Sequence, residues 1–410
     1  MSLRVALLGF ASSLHDESWW RAQWERGLEE LRAAGLKVVG EQLIVGGEAR
    51  PKLPSNVQGV IALVLTGGTS KQVAKALQLL NRPAVLVALP WHNSLASALE
   101  ARAYLKPHKW LKIVRGAPGW GLKVVEFLKE AADARGRLAC KVLALGGMSI
   151  DASLERAGPE QLYGRLGIQV VEVASSRLSL ALEGVRDSEV EDLLHKLPEP
   201  LKHLPRLREP ARLYLASKRL VEEEGASGVT FNCFSLLGLT KCTPCLAVSK
   251  LIDEGVLAVC EAEAPTLGAA AVVHRLLGLP FFVANIIDVE GAVLKVAHCT
   301  APLSMGIGAV EAMPHFESGL PAGLDVEIAR GPVSLLCFNR ELEELVVARG
   351  VVEASSLRER WACRTQALVR VDCEEFVDEA PGGHLLIVYG DLVGRLQKIS
   401  EALGVKFRHV

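Results

Sequence analysis

Residues 241–263 read KCTPCLAVSKLIDEGVLAVCEAE, and two sets of reactive groups share this stretch. Cys242, Cys245 and Cys260 are residue types that build a metal or redox centre, whereas Glu261 and Glu263 suit a hard cation or proton exchange with a substrate. The pair Cys242-Thr-Pro-Cys245 has the form of a thioredoxin-type redox motif. Thr243 is predicted as N-cap with Pro244 in the first turn and Gly255 as terminator. That puts Cys245 where the helix dipole and free N–H groups favour a thiolate, making it the more reactive of the pair. A structural zinc held by Cys233, Cys242, Cys245 and Cys260 would lack the second C-x-x-C that makes such a signal strong. Packing as small core residues is the reading adopted for these thiols, with a redox pair as its rival.

The two acids depend on the elements around them. GVLAV reads as a short buried strand and PTLGAAAVVHRLLG as a helix opening on Pro265. Glu261 and Glu263 therefore lie at a strand-to-helix junction, where open α/β sheets place their ligands. In an extended segment residues two apart face the same side, so both carboxylates are expected to point together. Two surface acids favoured by a helix N-terminus account for the same spacing, and both readings stay open on spacing alone.

Around this centre the chain reads as three segments. Residues 1–136 alternate strands (RVALLGF, LKVVGEQLIV, VQGVIALVLTGG, RPAVLVALP) with helices, including DESWWRAQWERGLEELRAAG with Asp16 as N-cap and Gly35 as stop. Such alternation predicts a parallel sheet covered on both faces. TGGTS lacks the G-x-G-x-x-G of a dinucleotide site, and Trp19, Trp20 and Trp24 read as packing residues. Residues 137–299 form a second α/β domain carrying the acids, with a strand in RLACKVLALGG and a helix, turn and strand in EQLYGRLGIQVVEVA. The loop MSIDASLERAG reads as a connection. The Pro-rich residues 196–210 cannot be one regular helix, and Lys218 on the helix that follows reads as solvated. Residues 300–410, with DVEIARG, VSLLCFNR, QALVRVD and HLLIVYG, predict a β-rich, barrel-like C-terminal domain. The fold class is thus α/β: two doubly wound α/β domains followed by a β-rich one.

Composition sets outer limits. A chain of 410 residues is long enough for two or three domains. The net charge of -1 leaves no basic excess for phosphates, which argues against a nucleic-acid partner. No apolar run reaches membrane-span length, and MSLRVALLGF reads as a first strand instead of a signal peptide, so a cytoplasmic protein without membrane partners is expected. Nine cysteines do not make a disulfide scaffold at this length. Scarce Asn with abundant Glu, Arg and Leu is compatible with a thermophilic source.

DEGVLAVCEAEAPTLGAA resembles the Gly…CEAD…GA stretch of the L-fucose/L-arabinose isomerase-like proteins. LPFFVANIIDVEGAVLKVAHCTAPLSM, HNSLASALEARAYLK and APGGHLLIVYGD are similar to further blocks of that family, in the same order. The resemblance implies a manganese-dependent interconversion of aldose and ketose through an ene-diol, in a homotrimer or homohexamer whose cleft is completed by a neighbouring subunit. Carried over residue by residue, Glu263 falls on a metal-binding Asp and His384 on the C-terminal metal-binding His. His298 falls on a His for substrate contact or support and, with Glu261 and Glu263, is the candidate for catalysis. Asn93, Glu100, Asn232, Ser235 and Asp288 are the candidates for holding a sugar. The chain departs from the pattern within FNCFSLLGLTKC, where the family's other metal-binding Glu has no counterpart, and at Glu263, one methylene longer than Asp. Mn2+ or another divalent cation is expected, with Glu261 or a thiolate compensating. A metal-free carbohydrate-binding homologue and a thiol redox protein using Cys242 and Cys245 are the alternatives.

Overall fold

Alternating buried and helical stretches assemble, in a computed structural model of the chain, into parallel sheets followed by an antiparallel barrel-like one. Residues 3–47, 51–54, 56–78, 82–105, 111–149, 157–202, 204–373 and 376–410 are described. Two units separate by contact: residues 1–136 with 398–406, and residues 137–397 with 407–410.

The first unit holds β1 (Arg4–Ala11), β2 (Lys37–Val45), β3 (Gly59–Val64), β4 (Ala84–Ala88) and β5 (Leu111–Arg115), all parallel, in the order β2-β1-β3-β4-β5. Side chains alternate along each strand, so Leu7, Ile61 and Val85 enter one apolar cluster while Leu8, Val60 and Leu86 enter another. Asp16 caps the helix Glu17–Ala33 by accepting from the Trp19 N–H at 2.8 Å. That helix ends before Gly35, whose φ is +80°. Trp20 and Trp24 are buried in the first cluster and Trp19 packs against it. Gly9 makes the room: a Cβ there would lie 2.6 Å from the Trp24 ring.

The second unit begins with β6 (Cys140–Leu145), β7 (Ile168–Val173), β8 (Gly228–Phe231) and β9 (Leu257–Cys260), a parallel sheet ordered β7-β6-β8-β9. The helix Pro159–Leu166 runs into β7 through Gly167, as its sequence suggests. Residues 196–210 break up: the helix Asp187–Lys196 ends, 3-10 turns follow at Glu199–Leu201 and Pro205–Leu207, and Arg208–Glu223 is the next helix. Residues 150–156 of the MSIDASLERAG loop lie outside the described residues.

The remaining strands are β10 (Phe282–Glu290), β11 (Val293–His298), β12 (Gly306–Met313), β13 (Gly323–Ile328), β14 (Gly331–Phe338), β15 (Glu344–Ser355), β16 (Thr365–Val371), β17 (His384–Tyr389) and β18 (Lys406–His409). Six of them form the ring β14-β17-β10-β11-β16-β15, closed by pairing of β14 with β15. Closure leaves these six without a free edge. Strands β12 and β13 make a separate two-stranded sheet. The break expected after residue 136 falls where the two units part. The one expected at residue 300 falls inside the second unit, after β10 and β11 have joined the antiparallel ring.

Among the described residues no single helix is long and apolar enough to cross a membrane. Cys233–Thr240 and Cys245–Asp253 pass such a test only jointly, at 111° to each other.

Candidate functional site

The C-terminal end of β9 delivers Cys260, and the chain then turns sharply into the helix Ala264–Ala271. This turn is not the extended segment expected. Glu261 and Ala262 adopt φ of 73° and 52°, the left-handed region that non-glycine residues visit at a cost. The Ser149 N–H donates to the Ala262 carbonyl at 3.0 Å, and Ala262 is fully buried. Two strained residues in succession are held only where the surroundings over-determine them, and such places cluster at functional sites. The two carboxylates still share one neighbourhood, brought there by a left-handed kink and not by strand alternation.

The barrel supplies the imidazoles. His298 ends β11 and His384 opens β17, and β10 lies between these strands, pairing Asn285 with both His384 and Ala297. Both rings therefore sit along one rim, 5.8 Å apart. His384 Nδ1 lies 3.0 Å from Glu263 Oε2, which also accepts from the Thr266 hydroxyl at 3.3 Å. His298 Nε2 is 3.7 Å from Glu261 Oε1, and its ring nitrogens are 3.7 and 3.9 Å from the Cys260 thiol.

The environments push these groups apart. Its hydrogen bond with His384 holds Glu263 below the usual carboxylate range. Burial drives His384 down, but the adjoining Glu263 outweighs it and the imidazole ends above its ordinary value. Burial raises Glu261, partly opposed by His384. Burial, helped by the charge on His384, lowers His298 to about 4, so it is a neutral imidazole near pH 7. The two carboxyls are pushed in opposite directions, Glu263 down and Glu261 up, a division of the kind that acid–base chemistry uses.

Cys260, Glu261 and His298 bring ligand atoms within 4.8 Å of one another and could together hold a metal ion. The expected pair, Glu263 and His384, is bonded to itself and would offer two protein donors. The three-donor group includes a thiol, which is not the oxygen-rich set that Mn2+ favours.

The other candidates are placed as follows. Asn232 follows β8 beside the end of β9, and its side chain caps its own helix by accepting from the Ser235 N–H at 3.4 Å. Asp288 lies three residues along β10 from the rung that holds His384, and pairs with Lys295 at 3.6 Å. Asn93 and Glu100 belong to the first unit. There Asn93 precedes the helix Ser94–Tyr104 with φ of 55°, and Glu100 accepts from the Tyr104 hydroxyl at 3.2 Å. Lys218 is not free in solvent but paired with Glu254 at 2.8 Å.

The thiolate expected at Cys245 is corrected. The helix does start there, with Pro244 and not Thr243 in the capping position. Burial raises the Cys245 thiol far above its ordinary value and pushes Cys242 up to about 12. Desolvation outweighs the dipole. All nine cysteines are free thiols.

Sequence reading passed over Cys299, His315 and Cys363. Interaction with Cys363 and His315 holds the Cys299 thiol well below its ordinary value, while Cys363 is raised. The Ser318 N–H points at His315 Nδ1 at 3.3 Å, which leaves Nε2 as the donor nitrogen. Adjacency of Cys299 to His298 was the one visible signal; nothing in the spacing ties in residue 363.

No protein-family model matches this chain, and no curated protein matches it.

Proposed function

We propose that the second unit moves protons between neighbouring carbons of a small polyhydroxylated carbonyl compound, the aldose–ketose interconversion that the resemblance to L-fucose/L-arabinose isomerase-like proteins implies. The observation that carries this reading is the meeting of Glu263 with His384 at 3.0 Å, beside Glu261 and His298, at the end of a parallel strand. Glu263, ionised, takes the proton from the carbon next to the carbonyl, and His384 gives one to the carbonyl oxygen. The resulting ene-diol is reprotonated by Glu263 on the other carbon as His384 recovers its proton, so no oxidant or reductant is consumed. A divalent cation in the neighbouring group, when bound, would steady the negative oxygen of the intermediate. Asn232, after the adjacent strand β8, and Ser235, in the helix that follows it, are among the expected sugar contacts. The chain acts in the cytoplasm as a homotrimer or homohexamer in this reading, and light scattering tests the assembly.

The experiment is a panel of aldoses and 2-ketoses incubated with purified protein in D2O and followed by NMR. Interconversion with deuterium entering at the proton-bearing carbon supports the reading. A panel in which no sugar turns over or exchanges, with or without added divalent cation, removes it.

A further inference from the structure

We infer that Cys260, Glu261 and His298 form a site for a borderline-soft divalent cation of the zinc class and not for Mn2+. This goes beyond the isomerase reading and does not need it, since an ion can be held whether or not a sugar is turned over.

The distances are the first reason. On the one ring nitrogen Nε2 of His298, Glu261 Oε1 stands at 3.7 Å, long for a hydrogen bond between these atoms, and the Cys260 sulfur at 3.9 Å. They match what two donors show when they share one ion: ligands about 2.0–2.3 Å from a tetrahedral centre lie about 3.5 Å from each other.

The second reason is the way the donors are mounted. Cys260 and Glu261 come from the end of β9 and His298 from the end of β11. Donors carried on strand ends keep their geometry better than donors on loops. The left-handed backbone at Glu261 and Ala262 is the local distortion that brings the carboxylate round to His298.

The third reason is chemical. Thiolate and imidazole select zinc and its neighbours, whereas Mn2+ takes carboxylates, carbonyls and water. Glu263 and His384 remain outside the set because each already satisfies the other.

The test uses the full chain, stripped with a chelator and titrated separately with Co2+, Zn2+ and Mn2+. Co2+ is expected to give a thiolate-to-cobalt charge-transfer band at one equivalent, and Zn2+ to abolish it. Mn2+ should bind at least about tenfold more weakly than Zn2+. Cys260→Ser should remove the band and weaken Zn2+ by about tenfold or more, and Cys373→Ser should behave as the parent. A parent protein without the band, Mn2+ binding as tight as Zn2+, or a band that survives in Cys260→Ser overturns the assignment. The first two readouts need no variant, so they decide the matter even where a substitution impairs folding.

Discussion

His384 Nδ1 and Glu263 Oε2 lie 3.0 Å apart although 121 residues separate them in sequence. The contact ties the helix that follows β9 to the first residue of β17, and so joins the parallel sheet of the second unit to its barrel. A partly buried hydrogen bond to a charged group contributes on the order of 1.5–3 kcal/mol. We expect His384→Ala and Glu263→Ala each to lose about that much in urea unfolding, and the double variant to lose clearly less than the sum. Strict additivity would show that the two side chains do not support each other.

The kink at Ala262 makes a separate prediction. A β-branched side chain at φ of 52° in a fully buried position meets both backbone and packing strain. Ala262→Val should cost about 2–4 kcal/mol, while Ala262→Gly should stay within about 1 kcal/mol of the parent. Equal stabilities for the two variants in denaturant melts would contradict the left-handed turn.

Glu254 gives the chain an acid-side stability term. Burial pushes its carboxyl up, yet hydrogen bonds from Lys218, Tyr214 and Lys250 prevail and bring it to about 2. A depressed carboxylate stabilises the fold above its unfolded value of about 4.5, and the contribution disappears as pH falls from there through about 2. The ion pairs of this network are open to solvent on one side, so about 1 kcal/mol is the ceiling. Glu254→Gln should lower stability at pH 7 and converge with the parent near pH 2, as thermal melts across that range will check.

Thiol reactivity follows burial. Cys242 and Cys245 are buried and raised, whereas Cys140, Cys363 and Cys373 are partly accessible. A thiol reagent added to folded protein should spare Cys242 and Cys245, and peptide mapping should find label on them only after denaturation. Fast labelling of either in the native state would reopen the redox reading.

Some of this was legible in the sequence because local chemistry decided it. Asp16 and Gly35 bracket a helix by capping rules, and LAVC followed by Ala264-Pro265 announces a strand-to-helix junction that carries two acids. The left-handed turn was not legible: Glu and Ala carry none of the preference that Gly, Asn or Asp has for that region. The approach of His298 to Cys260 depends on how the barrel ring closes and on which strand ends share a rim, neither of which has a local signature. For the same reason β10 and β11 read as a tail of the α/β segment, since a strand pair looks alike whichever sheet it joins. The cysteine pair misled because its position at a helix start was visible and its burial was not.

The central claim is that Glu263 moves the substrate proton with His384 at its side, and solvent-exchange NMR tests it most directly. A sugar that the parent protein turns over is incubated in D2O with the parent, with Glu263→Gln and with His384→Ala, each verified as folded. Glu263→Gln is expected to slow deuterium incorporation on the order of 100-fold or more, with His384→Ala slowed by a similar factor. Deuterium entering at the parent rate in folded Glu263→Gln would contradict the account.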